Sequence, residues 1–355
     1  MAINQSSAAE SYFRTTEERQ ERFFQRRNQL RFNLDLSNAS LVEVLQAYQE
    51  KQRKKNKNYS ILSAIVLIQN IERDEYKCKI IPEDVCAEFW IDFENYYVNT
   101  PAKNGTKRHS SSADTYSNQI IAALGWGQLY GVKLDPTFRE KKFSKYSKKK
   151  ITPSLDQISF MYHYDIDVKE NRNKIRKLAE EMNMKRFSFA ALHRVRDHFV
   201  LSCSLGQRIS DSKRLEPENI QDGIYETTQQ KTGNKAIVDL KKYAIDYSIV
   251  KEILERYDYK APAYGMDSEN FNKYLRLLCR SIGDSFNKII SWEYKECGTI
   301  KRESAPMWKL MTSHVARRTF ITNQILRGIT IPELTRASRH QDPRHIGTYY
   351  APENS

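Results

Sequence analysis

The sequence predicts a mainly α protein with a small β-sheet, an α+β chain of two domains. Three observations carry this. Most of the chain falls into apolar runs with the 3.6-residue period of helices that bury one face. One segment, "IYETTQQKTGNKAIVDL", alternates, is rich in Thr, Ile, Val and Tyr, and is split by a turn-forming "KTGNK", which reads as a β-hairpin. The length of 355 residues exceeds what one ordinary core gathers.

Residues 1–37 form a polar extension with one expected helix in "TTEERQERFFQRRNQLRF", whose Glu and Arg lie at helical spacing. A helical domain follows over 38–138. "LVEVLQAYQEKQRKK" places Leu41, Val44, Leu45 and Tyr48 on one face. "YSILSAIVLIQNIERD" is a second helix. "PEDVCAEFWIDFENYYVN" is a third, with Pro82 suited to its first turn. The breaker-rich "NTPAKNGTKRHSSS" is a loop, and "ADTYSNQIIAALGWGQLYGV" is a fourth helix. Residues 139–150, "REKKFSKYSKKK", hold seven Lys or Arg, one acid and no clear apolar period. This is a basic linker, solvated or laid against phosphates. The second domain runs over 151–355. Its helices are "SFAALHRVRDHFVLSCSLGQR", ending at Gly206, a short helix and turn in "SDSKRLEPENI", then "SIVKEILERY", "ENFNKYLRLLCRSIGDSF", "SHVARRTFITNQILRG" and "TIPELTRAS", with the hairpin among them.

The balance of 58 Lys and Arg against 44 Asp and Glu gives a formal net charge of +14, which favours nucleic acid or an anionic surface as partner and says nothing of fold. No apolar run reaches the ~18 residues of a membrane span, and the N-terminus lacks the apolar core of a signal peptide. Cys78, Cys86, Cys203, Cys279 and Cys297 form no CxxC pair, so they read as reduced cysteines. A cytoplasmic location is expected, with no membrane partner.

Five segments carry polar residues that packing does not require. Arg208 in "LGQRISD" follows a glycine turn and opens a helix. Lys231 in "QQKTGNK" sits at the hairpin tip. His314 and Arg317 in "TSHVARRTF" are three apart at the start of a helix, capped by Thr312 or Ser313, so they share a face. His340 lies in "ASRHQDP", and Tyr349 and Tyr350 lie in "HIGTYYAPENS". Singly, each has an ordinary explanation: an ion pair with Asp211 for Arg208, a solvated turn for Lys231, a satisfied histidine for His314, a dipole contact for His340, packing for the tyrosines.

In this order the residues resemble the tyrosine recombinase (phage integrase) family. Its members carry an Arg in a Gly-x-Arg turn, a Lys on a β-hairpin, a His-x-x-Arg, a later His or Trp and a nucleophilic Tyr. The similarity covers 151–355, and the four-helix domain before it looks like the family's core-binding domain. Between Gly206 and Arg208 stands Gln207, where the family usually has a small or apolar residue, and Ser338-Arg339 precede His340. The resemblance implies a SAM-like N-terminal domain and a catalytic domain that close as a C-shaped clamp on DNA. It implies the catalytic set Arg208, Lys231, His314, Arg317, His340 and Tyr349, with Tyr350 the alternative nucleophile. Lys141, Lys142, Lys145, Lys148, Lys149 and Lys150 of the linker would touch DNA. Expected partners are double-stranded DNA with inverted-repeat half-sites, further copies of the chain as dimer to tetramer, and accessory DNA-bending proteins in a prokaryotic nucleoid.

The chemistry implied needs these residue types. A tyrosine phenolate attacks phosphorus, leaving a 3′-phosphotyrosine and a free 5′-hydroxyl that later attacks back. Two guanidiniums clamp the charge that grows on the non-bridging oxygens. A lysine protonates the leaving oxygen, and the histidines hold or move protons. No metal or other cofactor is expected. Two rivals remain: a type IB topoisomerase-like enzyme with the same chemistry and no exchange, and a non-catalytic DNA-binding relative.

Overall fold

The structure is a computed structural model that describes residues 34–102, 105, 107–143, 149–230, 233–338, 344–347 and 349. The helix expected in the N-terminal extension, Lys145, Lys148, Lys231, His340 and Tyr350 lie outside the described residues. The chain forms two compact units. Unit 1 comprises Met1–Ser147 and Glu293–Arg302. Unit 2 comprises Lys148–Trp292 and Glu303–Ser355.

Unit 1 is built on α1 (Leu41–Lys55), α2 (Leu62–Ile71), α3 (Ala87–Asn99) and α4 (Ser110–Gly127). A capping box starts α1: the Ser40 hydroxyl accepts from the Glu43 amide, and the Glu43 carboxylate accepts from the Ser40 amide. Arg53, Lys54 and Lys55 in its last turn suit the negative end of the helix dipole. The helix expected from Pro82 onward is broken. Pro82–Asp84 make a 3₁₀ turn and α3 starts only at Ala87, whose amide donates to the Thr137 hydroxyl at 3.0 Å.

The first part of the basic run packs on this core. Phe143 stacks on Phe93 with centroids 6.2 Å apart, and Lys141 donates to the Asp114 carboxylate, the Ser117 hydroxyl and the Asn118 amide, each at 2.7 Å. The Lys141 ammonium is therefore satisfied inside unit 1, while Lys142 stays exposed. Within the same unit the buried Glu296 carboxylate accepts from Lys301 at 2.9 Å and lies 3.0 Å from His109 Nδ1.

Unit 2 is a helical layer around α7 (Phe189–Leu205), preceded by α5 (Leu155–His163) and α6 (Lys169–Glu181) and followed by α8 (Tyr247–Arg256), α9 (Ser268–Ile282), α10 (Ser313–Leu326) and α11 (Ile331–Ser338). Its core includes Leu192, Phe199, Leu201, Phe271, Leu275, Leu278 and Phe320. A three-stranded antiparallel sheet is ordered β1 (Ile220–Gln221), β2 (Ile224–Thr228), β3 (Lys235–Asp239), with Tyr225 opposite Val238 and Thr227 opposite Ala236. This is the expected hairpin, closed by the Gly233 amide donating to the Gln229 carbonyl at 2.8 Å.

Three elements lie beyond the sequence reading. Helix α5 is not among the expected helices. Helix α6 is so charged that only Ile175 and Ala179 of "KENRNKIRKLAEE" are buried, which hides its period. A second sheet, β4 (Ile289–Glu296) with β5 (Thr299–Pro306), corrects the expectation of one small sheet. "IISWEYKE" alternates strictly between exposed and buried, and Cys297 and Gly298 turn the chain at positive φ. Among the described residues no helix is long and apolar enough to cross a membrane.

Candidate active site

Several segments of unit 2 meet at the C-terminus of α7. The first is Gly206-Gln207-Arg208. Gly206 ends α7 at φ +64°, and a Cβ built there would stand 2.4 Å from Phe320 Cδ1 of α10. Both the left-handed backbone and the close approach require glycine. Gly206→Ala should therefore destabilise the protein by ~2–4 kcal/mol in urea unfolding, the sum of a left-handed residue and an overpacked contact. An unchanged urea midpoint would show that Phe320 moves aside freely.

The turn aims Arg208 outward from the head of a short helix, Ile209–Ser212. Its Nη1 donates to Gln229 Oε1 at 3.2 Å and stands 4.0 Å from Asp211 Oδ2. Asp211 is fully buried, and its Oδ1 accepts from the Gln230 amide at 2.9 Å and from Arg214 at 3.2 Å. The carboxylate thus joins the Arg208 helix to the hairpin arm that leads to Lys231.

Arg317 comes from α10 and is fully buried. Its Nη1 donates to the Gly206 carbonyl at 3.0 Å and its Nη2 to the Ser338 carbonyl at 2.9 Å. Burial lowers its pKa to about 10, and the neighbouring Arg208 cation acts in the same direction. Tyr349 opposes both through charge and a hydrogen bond. The Arg317 guanidinium lies 5.8 Å from the centroid of the Tyr349 ring, and the His314 ring lies 5.2 Å from it, tilted by 51°. The backbone of Tyr349 is held at both ends: its amide donates to the Ile346 carbonyl at 2.9 Å, and its carbonyl accepts from the Thr322 hydroxyl at 3.3 Å. Arg208, His314, Arg317 and Tyr349 are thereby brought together. Arg318 donates to the Ile151 carbonyl at 3.1 Å and stays close enough for its charge to act on His314.

The cap expected on α10 is different. Thr312 is at the cap position but makes no side-chain cap bond, and the Ser313 amide donates instead to Asn272 Oδ1 of α9 at 2.7 Å. A side chain from a neighbouring helix satisfies the free amide, so the start of the His314–Arg317 turn is fixed by tertiary contact. Gln207, Gln229 and Asn272 tie these turns together by hydrogen bonds and are not among the site residues that the sequence pattern marked. For Gln207 the signal was present, since a polar residue occupies a place the family keeps small or apolar.

Partial burial of the ring, then the Arg318, Arg317 and Arg208 cations, lower the His314 pKa to about 4, although the residue as a whole is exposed. It is neutral at pH 7 and able to accept a proton. His198, beneath the Arg208 helix, is fully buried with Nε2 at 3.0 Å from the Ser212 hydroxyl, and burial followed by Lys213 lowers it to about 3. Unfolded, both imidazoles bind a proton near the usual ~6.5. The unfolded chain then holds more protons than the folded one, so stability falls as pH drops from about 6.5 toward 4. His198→Gln should flatten that decline by a few kcal/mol at pH 4 in denaturant titrations. An equally steep decline in the variant would place the acid sensitivity elsewhere.

Among the described residues no three His, Cys, Asp or Glu side chains gather as metal ligands. A cleft of about 710 Å³ in unit 2, lined by Arg186, Arg194, Lys273 and Tyr274 among others, shares no residue with the arginine cluster.

Comparisons with known proteins bear on the fold. The solved lambda integrase(75-356) dimer bound to a COC′ core site has 16% identity and a TM-score of 0.55, over 87% of this chain and 94% of that one. The lambda integrase tetramer bound to a Holliday junction has 16% identity and a TM-score of 0.57, over 92% and 81%. The Tn1549 transposon integrase (aa 82-397) in complex with circular intermediate DNA has 13% identity and a TM-score of 0.56, over 88% and 95%. The chain shares the fold of these integrases. A family model described as translation initiation factor eIF3 subunit 135 matches residues 144–288, a span that excludes His314, Arg317 and Tyr349. No curated protein matches the chain by sequence.

Proposed function

We propose that the chain is a site-specific DNA recombinase that cleaves and rejoins DNA through a covalent 3′-phosphotyrosine. The observation that carries the reading is one constellation: two guanidiniums, Arg208 and Arg317, converge at the end of α7 beside a tyrosine ring packed on a neutral histidine. Such a pair suits a phosphate whose charge grows during attack, because both cations are already anchored and need no reorganisation.

The Tyr349 hydroxyl attacks phosphorus and its proton passes to His314 or to solvent. Arg208 and Arg317 hold the non-bridging oxygens, His340 adds a hydrogen bond to them, and Lys231 protonates the departing 5′-oxygen. Reversal by a 5′-hydroxyl from the same or a partner duplex rejoins the strand. The integrases of like fold were solved on DNA as a dimer and a tetramer, which supports duplex DNA and assembly of copies as the working form. Under this reading the helical domain 38–138 and the catalytic domain 151–355 embrace a duplex. Lys142, Lys145, Lys148, Lys149 and Lys150 of the linker would lie along phosphates. We place the protein in a prokaryotic nucleoid.

The test uses nicked duplexes drawn from DNA flanking the gene. A protein–DNA adduct that survives denaturing electrophoresis and maps to a tyrosine is expected. Relaxation of supercoils without recombinants would favour the topoisomerase, and no adduct on any duplex would leave a DNA-binding relative. A net charge of +14 also predicts that log affinity falls with log salt, with a slope of about −0.9 per phosphate contacted, measured by fluorescence anisotropy. A flat salt dependence would remove the phosphate contacts.

A further inference from the structure

Gln229 and Gln207 are both fully enclosed, at 0% and 2% exposure, in a cluster where polar side chains are costly unless paired. Their pairing has a direction. Gln207 Nε2 donates to the Leu205 carbonyl at 3.0 Å and the Ala337 carbonyl at 3.2 Å. Carbonyls only accept, so the oxygen of Gln207 faces the other way, where it accepts from Gln229 Nε2 at 2.8 Å. Gln229 Nε2 also donates to the Ser338 carbonyl at 3.1 Å. With both its donors directed at acceptors, Gln229 turns its oxygen to Arg208 Nη1. Four backbone and side-chain acceptors thus fix which end of each amide meets the arginine.

The Ser338 carbonyl that receives Gln229 also receives Arg317 Nη2. One amide side chain therefore touches the first guanidinium and shares an acceptor with the second. Its backbone closes the hairpin turn, since the Gln229 amide donates to the Asn234 carbonyl at 2.9 Å and the Gly233 amide to its own carbonyl. Lys231 lies within that turn in sequence.

Resting on the recombinase reading above, we propose that Gln229, oriented by Gln207, is a positioning residue that sets the spacing of Arg208 and Arg317 for one phosphate. Its neutrality is part of the role. An amide oxygen orients a guanidinium and leaves its charge for the substrate, whereas a carboxylate of the same shape would pair with it and cancel the charge.

The experiment measures single-turnover cleavage of a nicked duplex by the full chain, with thermal midpoints in parallel. Gln229→Glu keeps the volume and gains an ion pair to Arg208, but it sets a carboxylate oxygen against the Gln207 oxygen and the Ser338 carbonyl, so it should lower the midpoint and slow cleavage by at least ~10²-fold. Gln229→Met should slow cleavage by at least ~10-fold, and by less than ~2-fold in an Arg208→Ala background, because the two residues act as one unit. A merely structural amide would give a Gln229→Met loss that multiplies fully with Arg208→Ala. That result, or Gln229→Glu cleaving at the parental rate, overturns the proposal. Absence of any adduct with the parental protein removes the recombinase reading and this inference with it, and the parental lane reports that outcome separately.

Discussion

Tyr349→Phe binds duplex DNA within about twofold of the parental protein and yields no covalent adduct, a loss of more than ~10³-fold in single-turnover cleavage. The expectation follows from how little the substitution removes. The Tyr349 ring packs on His314 with the Arg317 guanidinium nearby, and its backbone is tied to Ile346 and Thr322, so the ring remains in place without its oxygen. What disappears is the nucleophile and one hydrogen-bond partner of Arg317. Tyr350→Phe keeps activity, since under this reading Tyr349 alone supplies the nucleophilic oxygen. Peptide mapping of the trapped adduct decides between the two tyrosines. An adduct on Tyr350 would move the nucleophile by one residue, and adduct formation by the Tyr349→Phe protein at the parental rate would remove Tyr349 from the chemistry.

Arg317→Met separates catalysis from folding. The substitution takes the Arg317 donor from the Gly206 carbonyl, a loss of ~1–3 kcal/mol in the interior, while the Ser338 carbonyl keeps its bond from Gln229 Nε2. It also removes a buried cation beside another cation. Lowering of the guanidinium from its ordinary 12.5 to about 10 corresponds to about 3 kcal/mol of unfavourable burial. The two effects are of similar size and opposite sign, so net stability should stay within ~2 kcal/mol of the parent by denaturant unfolding. Cleavage, by contrast, should fall by at least ~10²-fold, because an apolar side chain cannot stabilise charge on a non-bridging oxygen. Arg208→Ala should show the same kinetic loss with a still smaller change in stability, since Arg208 is partly open to solvent. Parental cleavage rates in either variant would end the phosphate-clamp assignment for that arginine.

A charge that the fold holds at a cost, at a position where Met would fit, is what a binding or catalytic role leaves behind. Asp197 offers the contrast within the same unit. It too is buried, but Arg196 and Arg256 donate to it at 2.8 Å and Tyr257 at 2.9 Å, and Arg256 also pairs with Glu252, so two cations meet two carboxylates. Arg208 and Arg317 meet mainly carbonyl and amide acceptors, which orient them and leave their charge in place.

The sequence alone determined the elements whose cause is local. The 3.6-residue period put Leu41, Val44 and Leu45 inside α1, the alternating run with "KTGNK" made the β2–β3 hairpin, and a three-residue spacing set His314 and Arg317 on one turn of α10. Periodicity and turn chemistry act between neighbours in the chain, so they can be read in one dimension. Tertiary structure decided the rest. Asn272 of α9 caps α10, Phe320 leaves room only for glycine at 206, and Gln207 and Gln229 join residues 205, 208, 337 and 338. Helix α6, with two buried residues in thirteen, forms where α9 covers it. The polar bonds link groups up to 130 positions apart, and the contacts that cover α6 and Gly206 likewise come from distant segments. A buried amide or a tight ring contact has no period, and its partner is fixed only when the chain has folded around it.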